Sequence, residues 1–332
     1  MKALVLDGID QPLQLREVPA PQPQPGEVRL RLQAAALNHR DVWIQKGQYA
    51  GLRFPIILGS DGVGLIEAVG EGVEPSCLGQ QVLINPGFGW GDNPRAQGRA
   101  FNILGLPLDG TFAELVCVPR AHVHACPSHL TASQAAALPL GGVTAYRALF
   151  TRGQLQAGER VLITGIGGGV ALLALQLALA AGAEVWVTSG QADKIERACQ
   201  LGARGGISYH QPKWGLELAR QAGGGFDLII DSAAGPGVAQ LVEAAAPGSR
   251  IVFYGGTVGT MQVPPARVFW KQLSLLGSTM GTTDDFTAML ALVDRARVLP
   301  VVDSVVPLAE GEAAMRRLES GQQFGKLVLS ID

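Results

Sequence analysis

Arg160-Val-Leu-Ile-Thr-Gly-Ile-Gly-Gly-Gly-Val-Ala-Leu-Leu-Ala-Leu-Gln-Leu-Ala-Leu-Ala-Ala-Gly182 is the stretch from which the fold is read. Val161 to Ile163 are apolar and mostly β-branched, as a buried parallel strand requires. Gly165, Gly167, Gly168 and Gly169 follow, then an Ala/Leu-rich run to Gly182, a helix-ending residue by position. Glu184-Val-Trp-Val-Thr188 starts the next strand. Strand, glycine turn, helix and strand make one βαβ unit. Glycines let the backbone approach a pyrophosphate, and the helix N-terminus offers it unpaired N–H groups and a positive dipole end. The frame beginning at Gly167 fails G-x-G-x-x-G because Leu172 holds its last position. Gly165-x-x-Gly168-x-x-Ala171 fits, with Ala171 as the small residue between helix and strand. Gly165, Gly168, Gly169 and Val170 are therefore expected at a dinucleotide. The alternative is a tight turn in some other parallel-sheet protein.

A chain of 332 residues is long enough for two domains. It is 47 % hydrophobic and 16 % charged, which supports large cores and excludes disorder. The net charge of −2 gives no basic field for nucleic acid. Met1 to Leu6 reads as a first strand, not a signal peptide. The apolar run Val170–Ala181, interrupted by Gln176, is too short to cross a bilayer, so no membrane partner is expected. Four cysteines, Cys77, Cys117, Cys126 and Cys199, form no Cys-x-x-Cys pair. A reduced, cytoplasmic protein without a disulfide framework is expected.

Residues 1 to about 125 read as β-rich, with short apolar runs between Pro and Gly. Glu27-Val-Arg-Leu-Arg-Leu-Gln33 alternates with period two, and Gly62–Gly70, Gln80–Ile84 and Phe112–Val118 complete a barrel-like set. Asn85–Gly110 is a long loop, a feature often tied to function. From Thr131 the pattern changes to alternating helices and strands, among them the buried runs Phe226–Asp231 and Ser249–Tyr254. That alternation predicts a doubly wound parallel sheet. Asp285–Arg297, Leu308–Glu319 and Lys326–Leu329 read as a helix, helix and strand tail.

Several motifs stand in a fixed order: Pro25-Gly-Glu-Val28, Leu58-Gly-Ser-Asp-Gly-Val-Gly-Leu65, Asp109-Gly-Thr-Phe-Ala-Glu-Leu115, Leu138-Pro-Leu-Gly-Gly-Val-Thr-Ala-Tyr146, the glycine turn, and the closing Phe324-Gly-Lys-Leu-Val-Leu329. In this the whole chain resembles the medium-chain dehydrogenase/reductase superfamily. The resemblance implies an α/β fold. A Rossmann doubly wound parallel sheet over 128–269 binds the cofactor, and a GroES-like β-rich catalytic domain comprises 1–127 and 270–332.

The zinc-dependent alcohol dehydrogenases of that superfamily carry Cys where this chain has Asn38. They have Gly-His-Glu where it has Gly59-Ser60-Asp61, and Cys or Asp where it has Leu140. Leu cannot ligate a metal, and Asn and Ser are poor zinc ligands. The four clustered cysteines of the structural zinc are missing from 85–110. His122 and His124 share a strand face without a third ligand, and His39 reads as a loop residue. The chain thus resembles the zinc-free branch, quinone oxidoreductases and enone or enal reductases. Without a Lewis acid, alcohol oxidation loses its usual route, whereas hydride addition to a polarised C=C needs orientation, exclusion of water and a donor to the carbonyl oxygen. Asn38, Arg40, Asp41, Ser60 and Asp61 are the candidate catalytic residues. Arg40 or Asn38 is the expected oxyanion donor, and Asp41 and Asp61 alternatively brace the loop.

NAD enzymes place an acid at the end of the second strand. Here Ser189 stands there, with Lys194 close behind. The resemblance puts a Lys at Lys194 and a Tyr at Tyr209 beside a 2′-phosphate, so NADPH is expected as cofactor. Ser232, Gly255, Gly256 and Thr257 follow strand ends, where open α/β sheets bind ligands. Thr144 matches the family position near the nicotinamide. Trp43, Tyr49, Phe54, Phe88, Trp90, Phe101, Phe269 and Trp270 suit an apolar pocket for a quinone or enone substrate. Leu273–Gly277, a candidate sheet edge, predicts a homodimer. An alcohol dehydrogenase with an unusual metal site and a non-catalytic NADPH-binding protein are the rival readings.

Overall fold

Val161, Leu162 and Ile163 are wholly inaccessible, and so are Leu228, Ile229 and Ile230 on the neighbouring strand. In the computed structural model, which describes residues 1–331, these runs are the two central strands of a six-stranded parallel sheet. Across that sheet lie Gly205–Ser208, Glu184–Ser189, Arg160–Ile163, Phe226–Asp231, Ala245–Phe253 and Ser274–Gly277. Val161 stands opposite Val185 on one side and Leu228 on the other. The chain winds outward from Arg160–Ile163 in one direction, then returns and winds in the other. Their carboxyl ends therefore form the switch point at which such sheets bind ligands. The helix Gly169–Ala180 follows the first central strand, and Gly182 beyond it takes φ +81°, the left-handed C′ conformation glycine allows.

The chain divides into two units. One comprises Gly141–Gly281 and Ala291–Val298; the other comprises Met1–Leu140, Thr282–Leu290 and the segment from Leu299 on. The second of these is built on the long strand Glu27–Ala36, whose side chains alternate inward and outward over its first half. One edge of that strand pairs antiparallel with Asp61–Val69. Its other edge pairs first with Leu115–Pro119, then with the C-terminal strand Lys326–Ser330. Leu4, Leu6, Leu30, Leu32, Ile66 and Phe112 fill the interior, each worth roughly 1.5–3 kcal/mol of burial.

The tail departs from the helix, helix and strand expectation. A strand, Val302–Pro307, follows the helix Thr283–Ala296 and pairs parallel with Lys326–Ser330. It lies at the end of the sheet with side chains half-exposed. Asp303, Ser304 and Pro307 thus break the apolar period without harm, as an edge strand tolerates. The long loop Asn85–Gly110 contains a two-stranded ladder of Gly87–Phe88 and Asn102–Ile103. No helix among the described residues is long and apolar enough to cross a membrane.

Candidate active site

At the switch point the glycine turn is shaped by Gly165 at φ +64° and Gly167 at φ +119°, conformations that side chains resist. Ile166 N–H donates to Thr188 O at 2.8 Å, which pins the turn to the second strand. Gly168 is the N-cap of the following helix and supplies no side-chain cap. A Cβ built there meets nothing within 4 Å, so the space beside the helix N-terminus is open at this position. Thr164 Oγ1 donates to Asp231 Oδ1 at 2.6 Å, and Asp231 Oδ2 accepts from Ala233 and Ala234 N–H at 3.1 and 2.7 Å. Burial raises the Asp231 carboxyl above the usual range against those hydrogen bonds. This network holds the two strand ends together. A Cβ on Gly165 would lie 3.7 Å from Ser232 Oγ, and one on Gly255 would lie 2.7 Å from Ser232 O. Thr257 N–H donates to Ser232 O at 3.4 Å. Gly165, Ser232, Gly255 and Thr257 thus gather at one rim, and Gly256 beside them is open.

Ser189 ends the second strand, buried, its Oγ accepting Gln191 N–H at 3.2 Å. A Cβ on Gly167 would strike Lys194 Cδ at 2.7 Å, so the lysine lies along the glycine turn. A Cβ on Gly190 would come within 2.7 Å of Tyr209 Oη and 2.9 Å of His210 Nε2. His210 is a neighbour the sequence reading passed over, although it follows Tyr209 directly. Gly141 packs close to Gly169 and Val170, and Thr144, buried on the same helix, contacts Met280 Sδ at 3.9 Å. These residues fit a dinucleotide: glycines occupy 165, 167, 168 and 169, and the helix that follows has no side-chain cap at its N-terminus.

The other unit holds a buried polar cluster. His39, expected in a loop, instead begins the helix His39–Gln45 with Asn38 as N-cap. Asp41 Oδ2 accepts Asn38 N–H at 2.8 Å, the back-bond of a capping box. Asn-x-x-Asp was the signal, hidden by a helix only seven residues long. Asp41 is fully buried, its Oδ1 has no partner, and burial pushes its pKa up to about 6 against the nearby Arg40 charge. Asp61 Oδ1 accepts Leu140 N–H at 2.7 Å, and Oδ2 accepts Asn38 Nδ2 at 2.9 Å and Lys326 Nζ at 2.8 Å. Lys326 Nζ donates also to Asn38 Oδ1 at 2.7 Å. Both aspartates brace backbone N–H groups, and both are members of the cluster.

Lys326 is the residue that sequence reasoning missed. It lies 265 positions from Asp61, and its signal was a charge opening the strand directly before the apolar Leu327-Val-Leu329 run. Arg40, also buried, spends Nη1 on Ser60 Oγ at 2.7 Å and Leu104 O at 2.9 Å, while Ser60 Oγ donates to the same carbonyl at 2.7 Å. Arg40 Nε and Nη2 have no hydrogen-bond partner, and its Cζ lies 5.1 Å from the Tyr49 ring centroid. Of the two expected donors, Asn38 is committed within the cluster and Arg40 keeps free N–H groups. Phe88 and Trp90 belong to the interior, whereas Phe269 and Trp270 are strongly exposed.

The donor set does not fit zinc. At the three ligand positions of the zinc pattern stand an amide bonded to an ammonium, a hydroxyl bonded to a guanidinium, and a leucine. Among the described residues no group of three or more His, Cys, Asp or Glu is placed to hold a metal ion.

Two family descriptions match the chain: an alcohol dehydrogenase GroES-like domain over residues 24–128 and a zinc-binding dehydrogenase over residues 169–295. The chain is similar to the zinc-type alcohol dehydrogenase-like protein YogA of Leptosphaeria maculans, at 34 % identity over 96 % of this chain and 95 % of that one. It is similar also to the acryloyl-coenzyme A reductase of Metallosphaera sedula, at 30 % identity over 99 % of this chain and 100 % of that one. A crystal structure of an NAD-dependent alcohol dehydrogenase superposes with a TM-score of 0.94 at 38 % identity, covering 100 % of both chains. With a Rossmann-type parallel sheet, a GroES-like β-rich unit and relatives that match nearly end to end, the chain belongs to the medium-chain dehydrogenase/reductase superfamily and is a nicotinamide-dependent oxidoreductase.

Proposed function

We propose that this protein reduces quinones or α,β-unsaturated carbonyl compounds with NADPH and without zinc. The observation that carries the reading is Arg40: its guanidinium is bonded to Ser60, the residue at the histidine-ligand position of the zinc pattern, and keeps Nε and Nη2 free. When bound, the reduced nicotinamide supplies a hydride to the carbon β to the carbonyl. The chain's own task is to steady the oxygen on which charge gathers. Preorganised donors in a site shielded from water do this at low reorganisation cost. Arg40 is the donor. Ser60 and Leu104 O fix its Nη1 and so its plane. Asn38, Asp61 and Lys326 hold the backbone from which the Arg40 helix starts, and Asp41 closes that helix's first turn. These six are positioning residues.

The reading of NADPH over NADH rests on the strand end at Ser189, which carries no acid to repel a 2′-phosphate, with Lys194 on the glycine turn and Tyr209 beside Gly190. Thr144, Gly165, Gly168, Gly169, Val170, Ser232, Gly255, Gly256 and Thr257 are proposed to complete the nucleotide site. The names of YogA and of the NAD-dependent structure favour a second reading, a zinc alcohol dehydrogenase, and the donor set at Asn38, Ser60 and Leu140 argues against it. We read the molecule as a homodimer joined at Ser274–Gly277, an open sheet edge with Leu275 exposed and Phe269 and Trp270 beside it.

Rapid mixing of the protein and NADPH with a panel of quinones, enones and aldehydes tests the assignment. Nicotinamide absorbance is expected to fall with enones or quinones. No fall across the panel overturns the reading in favour of a protein that only binds NADPH, and a fall that requires added zinc overturns it in favour of the alcohol dehydrogenase.

A further inference from the structure

Arg40 carries a second consequence. It is 6 % exposed, yet among the described residues no carboxylate lies within ion-pair distance of its guanidinium. Asp61, the one acid beside it in the cluster that is ion-paired, is held by Lys326 at 2.8 Å. Asp41 is attached to the next residue, but its Oδ2 is turned to Asn38 N–H and its Oδ1 has no partner at all. Asp41 thus acts on the guanidinium through space without an ion pair, and a buried cation without a bonded counter-charge is costly, a cost that a ligand anion relieves. The Tyr49 face at 5.1 Å offsets part of that cost.

The free atoms also have a shape. With Nη1 bonded to Ser60 Oγ and Leu104 O, what remains is Nε and Nη2, two N–H groups on one edge of a plane. Two parallel N–H donors match two oxygens side by side, such as a carboxylate oxygen and the carbonyl oxygen next to it, whereas a lone carbonyl oxygen uses such an edge less completely. Ser60 and Leu104 prevent the guanidinium from turning this edge away. Neither atom is open to solvent, and the half-buried Tyr49 ring is their aromatic neighbour, its centroid 5.1 Å from Cζ.

We propose that Arg40 Nε and Nη2 are a carboxylate-binding subsite shared with the reacting carbonyl: the substrate is an unsaturated 2-oxo acid, one N–H receiving a carboxylate oxygen and the other the adjoining carbonyl oxygen. What is done to that acid rests on the reductase reading above; its capture does not. Titration calorimetry without cofactor separates the two, because no hydride moves. The probes are 2-oxohexanoate and its methyl ester, which share a ketone and chain and differ in charge. The acid is expected to bind the wild-type protein at least tenfold more tightly than the ester. Arg40→Met is expected to abolish that difference, and Arg40→Lys, a point charge without the planar edge, to keep only part of it. NADPH affinity of each variant reports that the fold is intact. Equal binding of acid and ester by the wild-type protein, binding of neither, or a preference that survives Arg40→Met overturns the proposal. If Arg40→Met fails to fold, the wild-type comparison and Arg40→Lys decide it.

Discussion

Lys326 and Asp61 are an ion pair removed from water, with side-chain exposures of 6 % and 0 %. Such a pair adds little net stability over an apolar substitute, but removing one partner strands the other charge at a cost of about 3–5 kcal/mol. Lys326→Met is therefore expected to lower the urea-unfolding free energy by that amount. Asp61→Asn combined with Lys326→Met is expected to recover part of it, since no charge is left behind. A loss within about 1 kcal/mol for the single variant would mean that the pair is hydrated. Asp41 makes a pH-dependent contribution of opposite sign to most acids. Its folded pKa is raised to about 6 by burial, so the folded state prefers the protonated form. The penalty is absent below the unfolded pKa, grows as pH rises through about 4 to 6, and is complete above that, on the order of 3 kcal/mol. Asp41→Asn keeps an oxygen for Asn38 N–H and cannot ionise. Its melting temperature relative to wild type is expected to rise between pH 4 and pH 7, and a flat difference would contradict the assignment. At this scale the sequence showed Asn38, Arg40, Asp41, Ser60 and Asp61 as a group, because they cluster along the chain. It hid Lys326 and Leu104, whose contacts depend on tertiary pairing.

Strand ends are what position the nucleotide site. Glu184–Ser189 delivers Ser189 to the point where a carboxylate would select NADH, and the glycine turn lies against Lys194. Ser189→Asp places an acceptor for ribose hydroxyls and a charge against a 2′-phosphate. It is expected to reverse cofactor preference, lowering kcat/KM with NADPH at least tenfold while raising it with NADH. A uniform fall with both would mean that Ser189 only supports the strand. The glycine turn, its helix and the buried strands were legible because period, length and glycine punctuation agreed there. The strand Val302–Pro307 was not, since it is half-exposed and its partner, Lys326–Ser330, comes later in the chain. The seven-residue helix after Asn38 was too short for a period to emerge.

For the molecule as a whole, the six-stranded sheet ends at Ser274–Gly277 with no further strand paired to it. Light scattering is expected to give twice the chain mass. Leu275→Lys, which puts a charge on that edge, is expected to give the chain mass with NADPH binding retained. The wild-type protein at the chain mass would remove the dimer. The order of motifs along the chain and the two unit types are legible in the sequence, because each motif serves a local turn or strand. The arrangement of charge in the cluster emerged only from the fold. The central claim is that protein groups, not a bound cation, activate the carbon that receives hydride. The most direct measurement uses chelator-treated protein of known metal content, NADPH deuterated at C4, and an enone, with the product examined by mass spectrometry. The account predicts deuterium at the β-carbon of the product at an undiminished rate. Product that forms only after zinc is restored, or deuterium at the carbonyl carbon of an alcohol, would contradict it.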